Sequence, residues 1–181
     1  GFLFDEGVIQ GKEEIAALQV CKHGDNIDVW INHRTEKPKT WQRTSGCTGG
    51  ITAVESLDNL PAVDDARGDC LAPRSDSRKE VITPEQVNHL MRLLFNAQQL
   101  YRSAGGVHTS VLSDGVTVIA SSEDIGRHNT LDKIAGLCLL HDLHPERRIL
   151  ATTGRISSEM IQKAARMGSS IVISCTSPSS L

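Results

Sequence analysis

One cysteine stands apart from the rest of the chain by its surroundings. Cys47 lies in RTSGCTGG, where Gly46 precedes it and Gly49 and Gly50 follow it. Glycine gives the backbone conformational freedom. The residues before it are rich in Lys, Arg and His, and positive charge favours the thiolate form of a cysteine. Two interpretations stay open from these features: an exposed nucleophilic or persulfide-carrying thiol, or an incidental cysteine beside a solvated basic loop.

Three polar clusters fall at predicted junctions between strands and helices. They are GGVH (105–108), EDIGRHN (123–129) and TGRISSE (153–159). Ligands of open α/β sheets collect at the carboxyl ends of strands, and helix N-termini there attract phosphates. Arg127 and Arg155 would add fork-shaped donors for an anion. The clusters therefore predict an anion-binding site.

Each of these residues also has an ordinary interpretation. A single arginine such as Arg127 or Arg155 is more often part of a surface ion pair. His108 is compatible with a structural histidine, and Ser157 and Glu159 with the cap and first turn of a helix. The similar placement of all three clusters, and no single residue, favours the functional interpretation.

The elements that must position these residues begin with a strand and a helix. Apolar residues at 27, 29 and 31 alternate along GDNIDVWIN and predict a strand with one buried face. From about 33 to 79 the periodicity disappears, which predicts a long, mobile insertion loop that carries Cys47. Thr83 begins a capping box. The helix that it opens is expected to end near Gly105, with Met91 and Phe95 in the core.

The second half of the chain predicts an alternation of strands and helices. Asp114-Gly115 indicates a hairpin turn between two strands, and a helix is expected over about 129–140. Residues 147–175 predict a strand, a helix closed by Gly168 and a second, parallel strand. The fold class is therefore predicted as α/β layers around a mixed sheet.

Length and composition limit the possible classes. The chain has 181 residues, which we interpret as one domain trimmed at both ends. Its 19 Lys and Arg against 22 Asp and Glu argue against generic nucleic-acid binding. No apolar run is long enough for a membrane span. Five widely spaced cysteines predict free thiols in a reducing cytoplasm, and Cys138 and Cys175, in apolar runs, are expected to be buried.

Several longer segments resemble a known family. EDIGRHNTLDK, GGVH and GRISSEMIQKA are similar to motifs of the formate dehydrogenase accessory sulfurtransferases, the FdhD/NarQ family. GFLFDEGVI resembles an early segment of that family, and RTSGCTGG falls where the family has its cysteine loop. The resemblance covers nearly the whole chain.

This resemblance implies a fold, an activity and partners. The fold would be a cytidine-deaminase-like three-layer α/β/α sandwich, in a cytoplasmic homodimer. The activity would be that of a sulfurtransferase, in which Cys47 accepts sulfur as a persulfide from a cysteine desulfurase. The acceptor would be the molybdenum bis-guanine-dinucleotide cofactor of formate dehydrogenase, bound as a substrate, with no metal of the protein's own. The residues expected to hold its guanine nucleotide halves are His108, Asp124, Arg127, His128, Asn129, Arg155 and Ser157.

One departure from the family pattern keeps a second function open. Many members carry C-x-x-C in the cysteine loop, whereas Gly50 stands at the second position here. Cys47 is nevertheless predicted to be the only cysteine that sulfur transfer needs, with Cys70 its one competitor. The alternative is a noncatalytic chaperone that binds the molybdenum cofactor. A zinc deaminase would need H-x-E and P-C-x-x-C, which are not found at His108 or His128.

Overall fold

The computed structural model describes residues 1–35, 82–145 and 147–178, together with the backbone of two short strands at 41–43 and 51–53. The strands are β1 Ile15–Val20, β2 Ile27–Ile31, β3 Trp41–Arg43, β4 Ile51–Ala53, β5 His108–Ser113, β6 Val118–Asp124, β7 Ile149–Thr152 and β8 Ile171–Ser174. The helices are α1 Phe2–Asp5, α2 Pro84–Asn96, α3 Leu100–Ala104, α4 Arg127–His141 and α5 Ser158–Arg166, with one turn of 3₁₀-helix at Lys12–Glu14. None of the helices in these ranges is long and apolar enough to cross a membrane.

The central sheet has four strands in the order β6-β5-β7-β8. β5 pairs antiparallel with both β6 and β7, while β7 and β8 are parallel. The predicted hairpin turn lies between β5 and β6, where Gly115 has φ of 99°, a value that favours glycine. The predicted strand–helix–strand unit is β7-α5-β8. The mixed α/β fold is thus confirmed.

Helices pack on both faces of this sheet because its strands alternate apolar side chains between the faces. Val111 and Ala151 point to one face and pack with Leu94 of α2. Leu112 and Leu150 point to the other, where the core includes Leu131 and Leu139 of α4 and Met160 and Ala164 of α5. Burying one such large apolar side chain stabilises the fold by about 1.5–3 kcal/mol. These contacts hold α4 and α5 on the same face of the sheet.

The helix that begins at Pro84 has the predicted start but ends earlier than predicted. Gln86 donates its backbone N–H to Thr83 Oγ1 at 3.3 Å, and Thr83 donates its own to Gln86 Oε1 at 3.0 Å, which completes the capping box. α2 ends at Asn96, and α3 starts at Leu100. Phe95, predicted to be core, is 45% exposed at this break.

The β1–β2 hairpin lacks the buried face that its alternation predicts. Ile15 and Ile31, paired at its base, pack against the core. Leu18, Val20 and Ile27 are farther along the hairpin and are 58%, 54% and 60% exposed. The strand prediction is confirmed and the burial prediction is wrong, because only the base of the hairpin contacts the core.

The predicted loop over 33–79 contains regular structure. β3 and β4 pair antiparallel, with Trp41 opposite Ala53 and Arg43 opposite Ile51. Two short strands therefore flank the segment 44–50 that carries Cys47. Cys47 and Cys70 lie outside the described residues, and the predicted mobility of this loop stays a prediction.

The three cysteines that the structure describes have three different environments. Cys138 on α4 is buried, as predicted, and burial raises the pKa of its thiol. Cys21, just after β1, is partly exposed. Cys175 is exposed, so its predicted burial is wrong. The reason is that β8 ends at Ser174, leaving Cys175 just beyond an edge strand.

Candidate functional site

The structure brings the three polar clusters together at one edge of the central sheet. His108 at the start of β5 pairs with Asp124 at the end of β6. On its other side, β5 pairs with β7, and Thr153 donates its backbone N–H to the Thr109 carbonyl at 2.9 Å. The chain then leaves β7 through Gly154 and enters α5. The two antiparallel pairings of β5 thus place residues from three distant segments side by side.

The turn between β6 and α4 is organised by Asp124. Its Oδ1 accepts hydrogen bonds from the Gly126 backbone N–H at 2.8 Å and from Asn129 Nδ2 at 2.9 Å. Its Oδ2 forms an ion pair with Lys133, and these groups together keep the pKa of Asp124 low although burial alone would raise it. α4 consequently begins at Arg127, two residues before the predicted start. Asp124 and Asn129 hold each other in this turn, and their contact with a ligand stays a prediction.

Glu123, the residue before Asp124, has a structural role in the same region. Its carboxylate accepts the backbone N–H groups of Gln99, Leu100 and Tyr101 at 2.8, 2.6 and 3.0 Å. Thr109 Oγ1 donates a fourth hydrogen bond at 3.1 Å. The carboxylate satisfies the free N–H groups at the start of α3. It therefore explains why a new helix begins before the GGVH cluster.

His128 and Ser157 meet between α4 and α5. Ser157 Oγ lies 3.5 Å from His128 Nε2, and both side chains are buried. Burial, followed by the charge of Arg127, lowers the pKa of His128 to about 4. Ser157 is the N-cap residue of α5 by its position, but its hydroxyl makes no capping hydrogen bond. The imidazole is therefore neutral at pH 7, and the Ser157 hydroxyl lies beside it without capping the backbone of α5.

Arg127 is the positive centre of the site. It lies in the first turn of α4 and is 7% exposed. Burial and then the Arg127 charge lower the pKa of His108. Burial would raise the pKa of Glu159, but hydrogen bonds from the Ser157 hydroxyl and the Glu159 backbone N–H, together with the Arg127 charge, lower it. One guanidinium therefore influences a residue from each of the three clusters.

Arg155 differs from Arg127 in its exposure. It lies on the turn after β7 and its side chain is exposed to solvent. Gly105 and Gly106, which precede β5, have φ of 66° and 68°, and a Cβ on either would meet no atom within 4 Å. This side of the site is consequently open. Arg155 is therefore accessible from solvent, whereas Arg127 lies below the surface.

Two residues near this edge of the sheet are not among the site residues predicted from the sequence. Glu159 belongs to the predicted 153–159 cluster but is not among the residues expected to bind the nucleotide, and its carboxylate lies within the electrostatic reach of Arg127. Cys175 was excluded by its apolar neighbours, yet its backbone N–H donates to the Thr152 carbonyl at 3.2 Å, beside the site. In the sequence, the exposure of Cys175 is indicated only by its position at the end of a strand, directly before the polar run Thr-Ser-Pro-Ser. Among the described residues, no three His, Cys, Asp or Glu side chains are arranged to hold a metal ion.

Comparisons with known proteins agree on one family. The family model described as the FdhD/NarQ family matches residues 1–181. The chain is 36% identical over 184 residues to the sulfur carrier protein FdhD of Staphylococcus aureus (strain MRSA252), covering 100% of this chain and 66% of that protein. It is 32% identical over 182 residues to the protein of the same name from Halalkalibacterium halodurans, covering 100% of this chain and 65% of that one. The chain thus spans slightly less than two thirds of these relatives.

A solved structure supports the same assignment. A crystal structure described as a putative formate dehydrogenase accessory protein from Desulfotalea psychrophila superposes with a TM-score of 0.67 at 30% sequence identity. The superposition covers 99% of this chain and 64% of that one. The match of the family model to the whole chain, together with these relatives, shows that the chain belongs to the FdhD/NarQ family.

Proposed function

We propose that this chain is the sulfur-transfer part of a protein that matures formate dehydrogenase. Cys47 accepts sulfur from a cysteine desulfurase as a persulfide, and the sheet edge binds the molybdenum bis-guanine-dinucleotide cofactor as the sulfur acceptor. The observation that carries the proposal is the convergence of the three family-like clusters on one edge of the sheet. The relatives are named sulfur carrier proteins, which also supports a role in sulfur transfer.

The electrostatics of the edge suit an anionic ligand. Arg127 and the exposed Arg155 are on neighbouring turns, and the start of α5 adds a positive helix-dipole end. A guanine nucleotide contains a pyrophosphate, which accepts charge-assisted hydrogen bonds from guanidinium groups. The neutral imidazole of His128 adds no positive charge at pH 7. We therefore place the phosphates near Arg155 and the turn after β7.

The chemistry begins with a thiolate. The Cys47 thiolate attacks the terminal sulfur of the desulfurase persulfide, and the breaking S–S bond leaves a thiolate on the desulfurase. Cys47 then holds the transferred sulfur as a persulfide. Passing this outer sulfur to the cofactor as a neutral atom would leave the Cys47 thiolate, and forming a sulfide there would require two electrons from the acceptor. Glycines on both sides of Cys47 suit a thiol that must meet two partners.

The position of the added sulfur tests this proposal. The protein is incubated with a cysteine desulfurase and cysteine, and mass spectrometry locates the persulfide among the five cysteines. We expect the added sulfur on Cys47, and its loss in Cys47→Ser. Cys70→Ser and Cys175→Ser are the matched controls and should retain labelling. Added sulfur on Cys70 or Cys175 in the wild-type protein would overturn the assignment.

A noncatalytic chaperone is the second candidate, favoured by Gly50 at the position of the second loop cysteine. In that case the protein would shield and dock the cofactor without carrying sulfur. Formate dehydrogenase activity in cells that produce the Cys47→Ser variant separates the two. Loss of activity supports sulfur transfer, and normal activity supports the chaperone.

A further inference from the structure

Gly154, on the turn after β7, lies directly against Arg127. A Cβ on Gly154 would be 2.7 Å from Arg127 Cβ and 3.3 Å from its Cδ. Real Cβ atoms essentially never approach another carbon as closely as 2.7 Å, and the atom approached is the rigid Cβ at the base of the arginine side chain. Because Gly154 is buried, there is little room for an added methyl group to be relieved by movement. The absence of a side chain at 154 is what allows Arg127 its present position.

Gly154 and Arg127 are also connected by a series of hydrogen bonds through buried hydroxyl groups. Gly154 donates its backbone N–H to Thr152 Oγ1 at 3.1 Å. Ser110 Oγ lies 2.8 Å from Thr152 Oγ1 and 2.6 Å from Thr130 Oγ1. Thr130 Oγ1 in turn donates to the Arg127 carbonyl at 2.6 Å. The three hydroxyl residues are fully buried, at 0% exposure. Buried, satisfied networks of this kind fix a unique geometry.

We infer that Gly154 and the Thr152–Ser110–Thr130 hydroxyl chain are positioning elements that set Arg127 at the centre of the candidate site. The glycine leaves the space, and the hydroxyl chain fixes the first turn of α4 against the turn after β7. No contact of these residues with a ligand is required, since they act through Arg127. The inference extends the proposed function, but its first test is independent of nucleotide binding.

The titration of His108 reports the position of Arg127 directly. The Arg127 charge contributes to the lowered pKa of His108, so its removal or displacement should raise that pKa. NMR titration is carried out on the wild-type protein, Arg127→Ala, Gly154→Ala and the double variant. We expect a higher His108 pKa in both single variants and no further rise in the double variant. A His108 pKa equal to that of the wild-type protein in either Gly154→Ala or Arg127→Ala would overturn the inference.

A second variant and a matched control separate positioning from a general loss of stability. Ser110→Ala deletes the middle hydroxyl without touching Gly154 or Arg127, and should raise the His108 pKa less than Gly154→Ala does. Ser110→Ala also tests the inference by itself if Gly154→Ala does not fold. Ser113→Ala is the control, because Ser113 is equally buried on β5 but bonds to Thr117 and Gly115 at the opposite end. An equal shift in Ser113→Ala would contradict a specific positioning role.

Nucleotide affinity gives the functional readout. We expect Gly154→Ala to weaken GDP binding by about tenfold, and to have no further effect in an Arg127→Ala background, since coupled residues are not additive. A tenfold loss that persists without Arg127 would show that Gly154 acts by another route and would overturn the inference. A wild-type protein that does not bind GDP would instead count against the proposed cofactor site, while the His108 titration would still decide the role of Gly154.

Discussion

His128 Nε2 lies 3.5 Å from Ser157 Oγ, and this contact joins the first turn of α4 to the start of α5. Both residues are buried. The surroundings favour the neutral imidazole, because burial and then the Arg127 charge lower the pKa of His128 to about 4. Protonation of this histidine therefore opposes folding.

The stability of the protein is expected to fall between pH 7 and pH 5. The unfolded chain binds a proton at His128 with a pKa of about 6.5, whereas the folded protein binds it only near pH 4. In this window the unfolded state carries more protons, so the free energy of unfolding decreases by about 2 kcal/mol from this residue. His128→Gln should lose that part of the pH dependence in urea unfolding. The exposed His23→Gln is the control, and an identical pH profile for His128→Gln and wild type would contradict the burial of a neutral imidazole.

Arg155 is expected to contribute directly to nucleotide binding. It is exposed on the turn after β7, and a hydrogen bond between its guanidinium and a phosphate would be charge-assisted. Arg155→Ala should weaken GDP binding by about 1.5–3 kcal/mol in calorimetry. Arg92→Ala removes an exposed arginine from α2 and is the matched control. Equal affinities of wild type, Arg155→Ala and Arg92→Ala would exclude the phosphate contact.

Glu123 is expected to stabilise the start of α3. Its carboxylate accepts three backbone N–H groups and the Thr109 hydroxyl. Glu123→Ala should lower the free energy of unfolding by about 2 kcal/mol, the upper range for a lost helix cap. Glu13→Ala, at an exposed position in the 3₁₀ turn, should change it by less than about 0.5 kcal/mol. Similar values for the two variants would show that the carboxylate is not a cap.

Lys163 and Lys12 each form ion pairs with carboxylates, but the Lys163 pairs are buried and the Lys12 pair is exposed. Lys163 Nζ lies 2.7 Å from Glu6 Oε1 and 2.6 Å from Asp132 Oδ1, with only 3% of its side chain exposed. Lys12 pairs with Asp142, where the two side chains are 41% and 58% exposed.

Lys163→Met should therefore cost about 3–5 kcal/mol of stability, because it leaves buried carboxylates without their cation. Lys12→Met should cost less than about 1 kcal/mol, since water screens the exposed pair. Urea unfolding of both variants measures the difference. Comparable losses in the two variants would mean that the Lys163 ion pairs do not stabilise α1 and α5 against α4.

Local signals in the sequence determined the elements and their order. The capping box at Thr83, the hairpin turn at Asp114-Gly115 and the glycine after α5 each rest on the chemistry of neighbouring residues. Such signals can be read without knowing what lies across the fold. They placed strands and helices well enough to predict that three polar clusters stand at strand–helix junctions.

What only the tertiary structure decided depends on contacts between distant residues. The start of α3 is capped by Glu123, more than twenty residues away in sequence, and Phe95 at the end of α2 is exposed. Gly154 follows β7 and lies against Arg127 of α4, a contact that no local pattern contains. Burial follows the same rule: Cys175 has apolar neighbours in sequence, but its exposure is set by the end of an edge strand. Residue types determine which chemistry is possible, whereas distance, burial and charge come from the folded arrangement, because they depend on which segments pack together.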